Sequence, residues 1–152
     1  MSMQNVLGSE AAAIVAVVDP DAYAAGTVTS AWVDMGLFDQ ILAAVAAGDL
    51  TAASTLDAKL EQAQDSTGTG AKDIAGKAIT QLTQAGGDSN KQALINCRSE
   101  ELDVNGGFSF ARLSVTATGG TGGDAAGMVL GLGPRYGPAS KNDLASVAEI
   151  VN

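Results

Sequence analysis

At 152 residues the chain has the length of one domain able to bury a real core. Its one Trp, two Tyr and three Phe, set against 19 Gly, leave that core to small aliphatic groups, a composition that gains less per residue from burial and suits support from a partner. The net charge of −9 excludes a nucleic-acid backbone as partner, which would need a basic stripe.

The charge is uneven along the chain. No Lys or Arg precedes Lys59, whereas Glu10, Asp19, Asp21, Asp34, Asp39, Asp49 and Asp57 do. That reads as a solvated surface, or as a face turned toward a basic neighbour and away from an acidic one. Met1 to Gly8 is expected to be a flexible lead-in. Ala11 to Val18 is a buried strand or short helix closed by a turn at Asp19-Pro20-Asp21, and it is far shorter than the about 20 apolar residues of a membrane-crossing helix. Ala22-Tyr23-Ala24 mimics a signal-peptidase site, but no positive residue precedes it and Glu10 does. The expectation is therefore synthesis and folding in a bacterial cytoplasm without export.

Thr27 to Val33 is strand-like, with Val28 and Val33 framing Trp32. In the next segment Phe38, Ile41, Leu42 and Val45 fall at i, i+3, i+4 and i+7 and Gly48 can cap a C-terminus, which together describe a helix. Ser54 to Gln64 is ambiguous. Leu56, Ala58 and Leu60 alternate with Asp57, Lys59 and Glu61 as in a half-exposed strand, while Leu56, Leu60 and Ala63 also suit a helix. Polar turns at Asp65 to Gly70 and Ala85 to Asn90 bracket Lys72 to Gln84. Lys91 to Asp103 reads as a strand with Ala93, Ile95 and Cys97 on one side, and Asn105-Gly106-Gly107 as a hairpin turn leading straight to Phe108.

The chain is organised around Phe108 to Pro138, two strands joined by the glycine loop Gly119 to Asp124. Phe108 and Phe110 share one face of the first strand and Leu113 and Val115 the other. Either both faces are covered, as in a sandwich, or a bulge near Ala111-Arg112 flips the phase. Gly133-Pro134 stops the second strand. Ser140 to Val151 reads as a short helix capped by Ser140 with Leu144, Val147, Ala148 and Val151 on one face, or as an arm that docks on a neighbour. Short extended segments spaced by Gly, Asn and Asp turns describe an all-β sandwich.

Chemistry is sparse. With no His in the chain, the commonest general base and the usual partner of a nucleophilic Ser or Cys are missing. Cys97 stands alone and reads as a small buried hydrophobe. Glu100, Glu101 and Asp103, or Asp19 and Asp21, have the chemistry to catch a cation such as Ca²⁺, but neither group has the spacing of an EF-hand loop. Gly68-Thr69-Gly70-Ala71-Lys72 lacks the Gly-Lys-Ser/Thr of a P-loop, and tight turns explain its glycines better. No catalytic, metal or cofactor residues are assigned. Arg135-Tyr136, between Gly133-Pro134 and Gly137-Pro138, places two residue types enriched at protein interfaces on a stiff turn; the alternative is that Arg135 neutralises local acids and Tyr136 covers an edge of the core.

The runs WVDMGLFDQILAAVAAGDL and LDAKLEQAQDSTGTGAKDIAGKAITQL, the strand around Ile95, and then ELDVNGGFSFARLSVTATGG and MVLGLGPRYGPA resemble a family of small tailed-bacteriophage head proteins encoded beside the major capsid protein. The resemblance runs from about Thr27 to the end of the chain. It implies an all-β subunit, a single β-sandwich or jelly-roll-like domain that decorates and cements the capsid, and it implies strands at Phe38 to Ala47 and Leu56 to Gln64 against the local helical reading of the first. The expected organisation is an N-terminal arm and lead-in strand over 1–26, the sandwich over 27–138 and a C-terminal helix or arm over 139–152. The major capsid protein is the expected partner, with a second copy of the chain on the capsid as a further one; nucleic acid and membrane are not. The expected location is the virion surface. Trp32, Arg135, Tyr136, Leu144 and Val147 are the candidate interface residues. A head-completion or tail component is the first alternative. A glycan-binding module is the next, for which only Trp32, Tyr23 and Tyr136 offer stacking surfaces, and an enzyme ranks below it.

Overall fold

The computed structural model describes residues 5–152. Met1 to Gln4 of the expected lead-in lie outside the described residues, and Gly8–Ala11 forms a single helical turn, α1. Ten strands follow: β1 (Ala12–Tyr23), β2 (Gly26–Thr29), β3 (Val33–Asp34), β4 (Phe38–Leu50), β5 (Thr55–Ala63), β6 (Lys72–Ala78), β7 (Leu82–Thr83), β8 (Gln92–Arg98), β9 (Phe110–Thr118) and β10 (Gly123–Pro134). They form a four-stranded sheet in the order β1-β10-β4-β8 and a second sheet built on β2-β9-β5-β6, with β3 also on β9 and β7 also on β5.

The pairing is that of a jelly roll. β1 lies antiparallel to β10, β2 to β9, β4 to β8 and β5 to β6, and the β10–β4 and β9–β5 pairs join these ribbons into two sheets. Rolling one long antiparallel ribbon into a sandwich in this way leaves no long parallel connections to make. The β2–β4, β5–β6 and β8–β9 connections and the segment after β10 gather at one end, which we term the loop end. The β1–β2, β4–β5 and β9–β10 connections gather at the other.

Strand β4 shows why its sequence mimics a helix. Ile41, Ala43, Val45 and Ala47 point into the core and are buried, at period two. The outward Leu42, Ala44 and Ala46 are apolar as well, so the alternation that marks a strand is erased. Strand β5 keeps it: Leu56, Ala58 and Leu60 are buried, and Asp57, Lys59 and Glu61 face outward. Strand β9 pairs with β5 from Phe110↔Ala63 to Thr118↔Thr55 without a shift, so there is no bulge at Ala111-Arg112. Its core face is Ala111, Leu113, Val115 and Ala117, and Phe110 lies on the outer side.

Four expectations are corrected. Asp19-Pro20-Asp21 is not a turn: β1 runs through it, with a register shift between Val18 and Asp21. Pro20 fits there because β1 is an edge strand, where a missing N–H forfeits no ladder bond. Asn105-Gly106-Gly107 is not a hairpin, since β8 and β9 belong to different sheets. Val104–Gly106 is instead a 3-10 turn in which the Asp103 carboxylate accepts the Gly106 N–H at 3.0 Å, and Gly107 leaves it at φ 80°. The strand expected over Thr27 to Val33 breaks after Thr29, where the buried Ser30 hydroxyl accepts the Leu113 N–H at 3.0 Å and donates to the Ala31 carbonyl at 2.9 Å. Finally, no α-helix spans Ser140 to Val151. Ala139–Asn142 is a 3-10 turn, and the chain then runs as an arm along β1, where Asp143 accepts the Ile14 N–H at 2.7 Å and Leu144 N–H donates to the Ile14 carbonyl at 2.9 Å.

The core lies between the sheets, with Phe38, Met35, Ile41, Leu56, Leu60 and Leu113 its largest fully buried side chains. Two inward glycines of β10 act as sockets for it. A Cβ on Gly131 would sit 2.6 Å from the Phe38 ring, and one on Gly127 would sit 2.6 Å from Leu113 Cδ2. The glycine loop after β9 crosses from one sheet to the other; at Gly122, φ 92°, a Cβ would run into the Tyr23 carbonyl. The inward Gln62 is satisfied in the core, taking the Asp103 N–H at 2.7 Å and donating to the Asp73 carbonyl at 3.3 Å.

Candidate interaction surface

The loop end collects the residues with interface character. Tyr136 is 72% exposed and Val104, on the β8–β9 connection, is 62% exposed. Between them the Arg135 main chain is anchored by its N–H on the Leu37 carbonyl at 2.9 Å, and its guanidinium donates to Ser99 Oγ at 3.0 Å with Asp39 at 3.7 Å. Pro134 and Pro138 fix φ on either side. Arg135 therefore does counter a local acid, as one reading of the sequence holds, while Tyr136 projects into solvent and covers no core.

Trp32 belongs to the same end, on the β2–β4 connection, but its ring is half-buried, with a face and an edge covered. The Arg112 guanidinium stacks 4.4 Å from the ring centre, and Gly68 packs against the indole N–H edge so closely that a Cβ would approach it to 2.9 Å. Arg112 in turn holds Glu61 through Nε and Nη2, both 2.7 Å from Oε2, and Lys59 links Glu61 to Asp73. This ladder fixes the outer face of the six-stranded sheet, where each ion pair is partly solvated and modest in energy. A second stacked cation, Lys72, lies 4.1 Å from the Phe108 ring centre and 2.7 Å from Asp103. The structure thus brings Trp32, Arg135 and Tyr136 to one end. Leu144 and Val147 stand apart from them, half-buried on the arm beside β1.

Two of the acids weighed as cation ligands, Glu101 and Asp103, are engaged within the protein. Glu101 accepts the Arg98 N–H at 2.7 Å and meets Lys77 at 2.9 Å, and Asp103 holds Lys72 and the Gly106 N–H, so both carboxyls titrate below their ordinary range. Among the described residues no group of three or more His, Cys, Asp or Glu side chains is arranged to hold a metal ion. Cys97 is fully buried, and burial with the Glu101 charge beside it pushes its thiol up to about 11, the opposite of an activated nucleophile.

No protein-family model matches the chain, and no curated protein matches it in sequence.

Two exposed apolar residues escaped the sequence reading, Leu94 (62% exposed) and Met128 (38%). Both stand on the outer face of the four-stranded sheet, in one cross-strand row with Ala44 and Val17. The signal was present in the unbroken apolar run of β10 and the missing alternation of β4, which mark a sheet apolar on both sides.

Proposed function

We propose that the chain is a virion structural protein that binds the outer surface of a bacteriophage capsid and cements contacts between major capsid protein subunits, with the loop end as its attachment surface. The observation that carries the attachment surface is the Arg135-Tyr136 turn: an exposed aromatic next to Arg135, which shares a groove with exposed Val104, on a backbone held by prolines and the Leu37 carbonyl, with the Arg135 side chain held by Ser99 and Asp39. Such a turn loses little conformational entropy on docking, and Tyr and Arg in that setting are typical anchors. The resemblance of the Thr27-to-end segment to small phage head proteins supplies the partner. The jelly roll agrees with it, although that fold also hosts lectins and enzymes and does not choose by itself. Arg112 occupies one face of the Trp32 ring and Gly68 its N–H edge, which removes that face as a stacking platform for a glycan.

A shell strained by packaged DNA separates at seams between its subunits. A rigid sandwich bridging a seam adds contact area that must be lost before the seam opens, and repetition over many copies makes modest contacts sufficient. The test is quantitative mass spectrometry of purified particles scaled to the major capsid protein. Copy numbers of the same order as the capsid subunit are expected, and Tyr136→Ala should lower occupancy about tenfold, equivalent to about 1.4 kcal/mol per site, with the isolated fold intact. A handful of copies per particle would reassign the chain to the head-completion or tail machinery. Unchanged occupancy in the variant would remove the loop end as the attachment surface.

A further inference from the structure

We infer that the outer face of the four-stranded sheet is a homodimer interface, occupied by a second copy of this chain. Two adjacent cross-strand rows make the face: Val17, Met128, Ala44 and Leu94, then Ile14, Leu130, Leu42 and Asn96. Seven of these eight positions are apolar and none is charged. Toward the opposite end the next row adds Ala126, Ala46 and Gln92, with Asp19 and Pro20 of β1 at its edge. A shallow groove of about 340 Å³ lies over it, floored by Ala44, Ala46 and Ala126 and flanked by Met128, by Asp19 and by Ser146 of the C-terminal arm.

In a chain of net charge −9, a face whose two central rows carry no charge and whose groove meets an acid only at its β1 edge, at Asp19, is the place where two copies approach with least opposition between their acids. Its size fits. Four strands spaced about 4.8 Å apart and about eight residues at 3.3 Å each project to roughly 500 Å² per copy, so a pair buries about 1,000 Å², the area at which specific interfaces begin. Sheet faces lined by Ala, Leu and Met also pack at the about 10 Å separation of sandwich layers.

This surface is separate from the loop end assigned to the capsid, and the dimer stands or falls independently of that reading.

Sedimentation equilibrium of the purified full chain at micromolar concentration tests it. A mass of twice 15.1 kDa is expected. Leu94→Glu should give the single-chain mass with an unchanged far-ultraviolet circular dichroism spectrum, and the neutral Leu94→Gln should weaken the dimer at least tenfold should the charged variant fail to fold. A wild-type chain that sediments as a single copy, or a dimer that survives both Leu94 substitutions, overturns the assignment. So does a single-copy chain whose Leu94 variants lose binding to capsids, because the face would then belong to the shell.

Discussion

Individual side chains here are held by short, local arrangements that neighbouring residue types made legible. Asp65 opens the β5–β6 turn with its carboxylate accepting the Thr67 N–H at 2.9 Å, the Thr67 hydroxyl at 2.7 Å and the Thr69 N–H at 3.1 Å, and these bonds, those from Thr69 foremost, hold it well below the usual carboxylate range. The acidic, Gly-containing Asp65 to Gly70 stretch announces such a turn without any tertiary information. Cys97 was equally readable, because it continues the period-two pattern of Ala93 and Ile95. Its thiol, raised to about 11 and buried, should resist iodoacetamide at pH 8 in the folded protein and react fully in denaturant. Stoichiometric labelling of the native protein on the same timescale, followed by mass spectrometry, would contradict that placement.

At the scale of elements, propensity and packing part company. Strand β4 satisfies helix spacing, and β10 carries Gly at positions 123, 127, 131 and 133, a composition that weakens a strand in isolation. Both lie at the centre of the four-stranded sheet because their neighbours complete them: β10 is paired on both sides, and Phe38 and Leu113 fill the spaces that Gly131 and Gly127 leave. Gly131→Ala raises intrinsic strand propensity and has no backbone strain to overcome, yet it forces the Phe38 ring to move. It should destabilise the fold by about 1–3 kcal/mol, the range of overpacking in a close-packed core, measured by urea denaturation. A stabilised variant would mean that Phe38 does not hold its position. The Asn105-Gly106 misreading has the same origin, since a hairpin sequence signal acts only if both flanking strands join one sheet.

For the whole molecule, stability follows pH through carboxylates engaged in the fold. Asp65, Asp88, Asp103 and Glu101 all have folded values below their ordinary ones: Asp88 through the Thr83 N–H and Lys91, Asp103 through Lys72 and Gly106, Glu101 through the Arg98 N–H and Lys77. A depressed folded value means that the unfolded chain binds more protons as the pH falls past the ordinary carboxylate range, so stability is present above it and is lost below. The melting temperature should be level from pH 7 to about 5 and fall steadily toward pH 2, since the unperturbed carboxylates titrate near pH 4. Asp65→Asn, which keeps an acceptor but not the charge, should flatten part of that slope. Equal slopes for both proteins in calorimetric melts would show that the Asp65 turn contributes nothing to it. Non-local pairing dominates the jelly roll, with β1 meeting β10 and β2 meeting β9 across most of the chain, so refolding should take milliseconds to seconds, as stopped-flow Trp32 fluorescence would show.

The class of the molecule was legible along the chain: all-β, sandwiched, without His, and with turns at Asp65 to Gly70, Ala85 to Asn90 and Gly119 to Gly122. Those features arise from local chemistry, the φ freedom of Gly, the capping of Asp and the alternation in β5. Which ribbons pair, that the Asp19 to Asp21 segment is strand, that the C-terminal segment is an arm bonded to Ile14, and that Arg112 stacks on Trp32 while Leu94 and Met128 stand exposed are properties of the assembled sheets. The reason is that outward and inward residues of a strand are distinguished by what covers each face. Where both faces are apolar, as in β4 and β10, cover is a property of the assembled sheets and leaves no periodic trace along the chain.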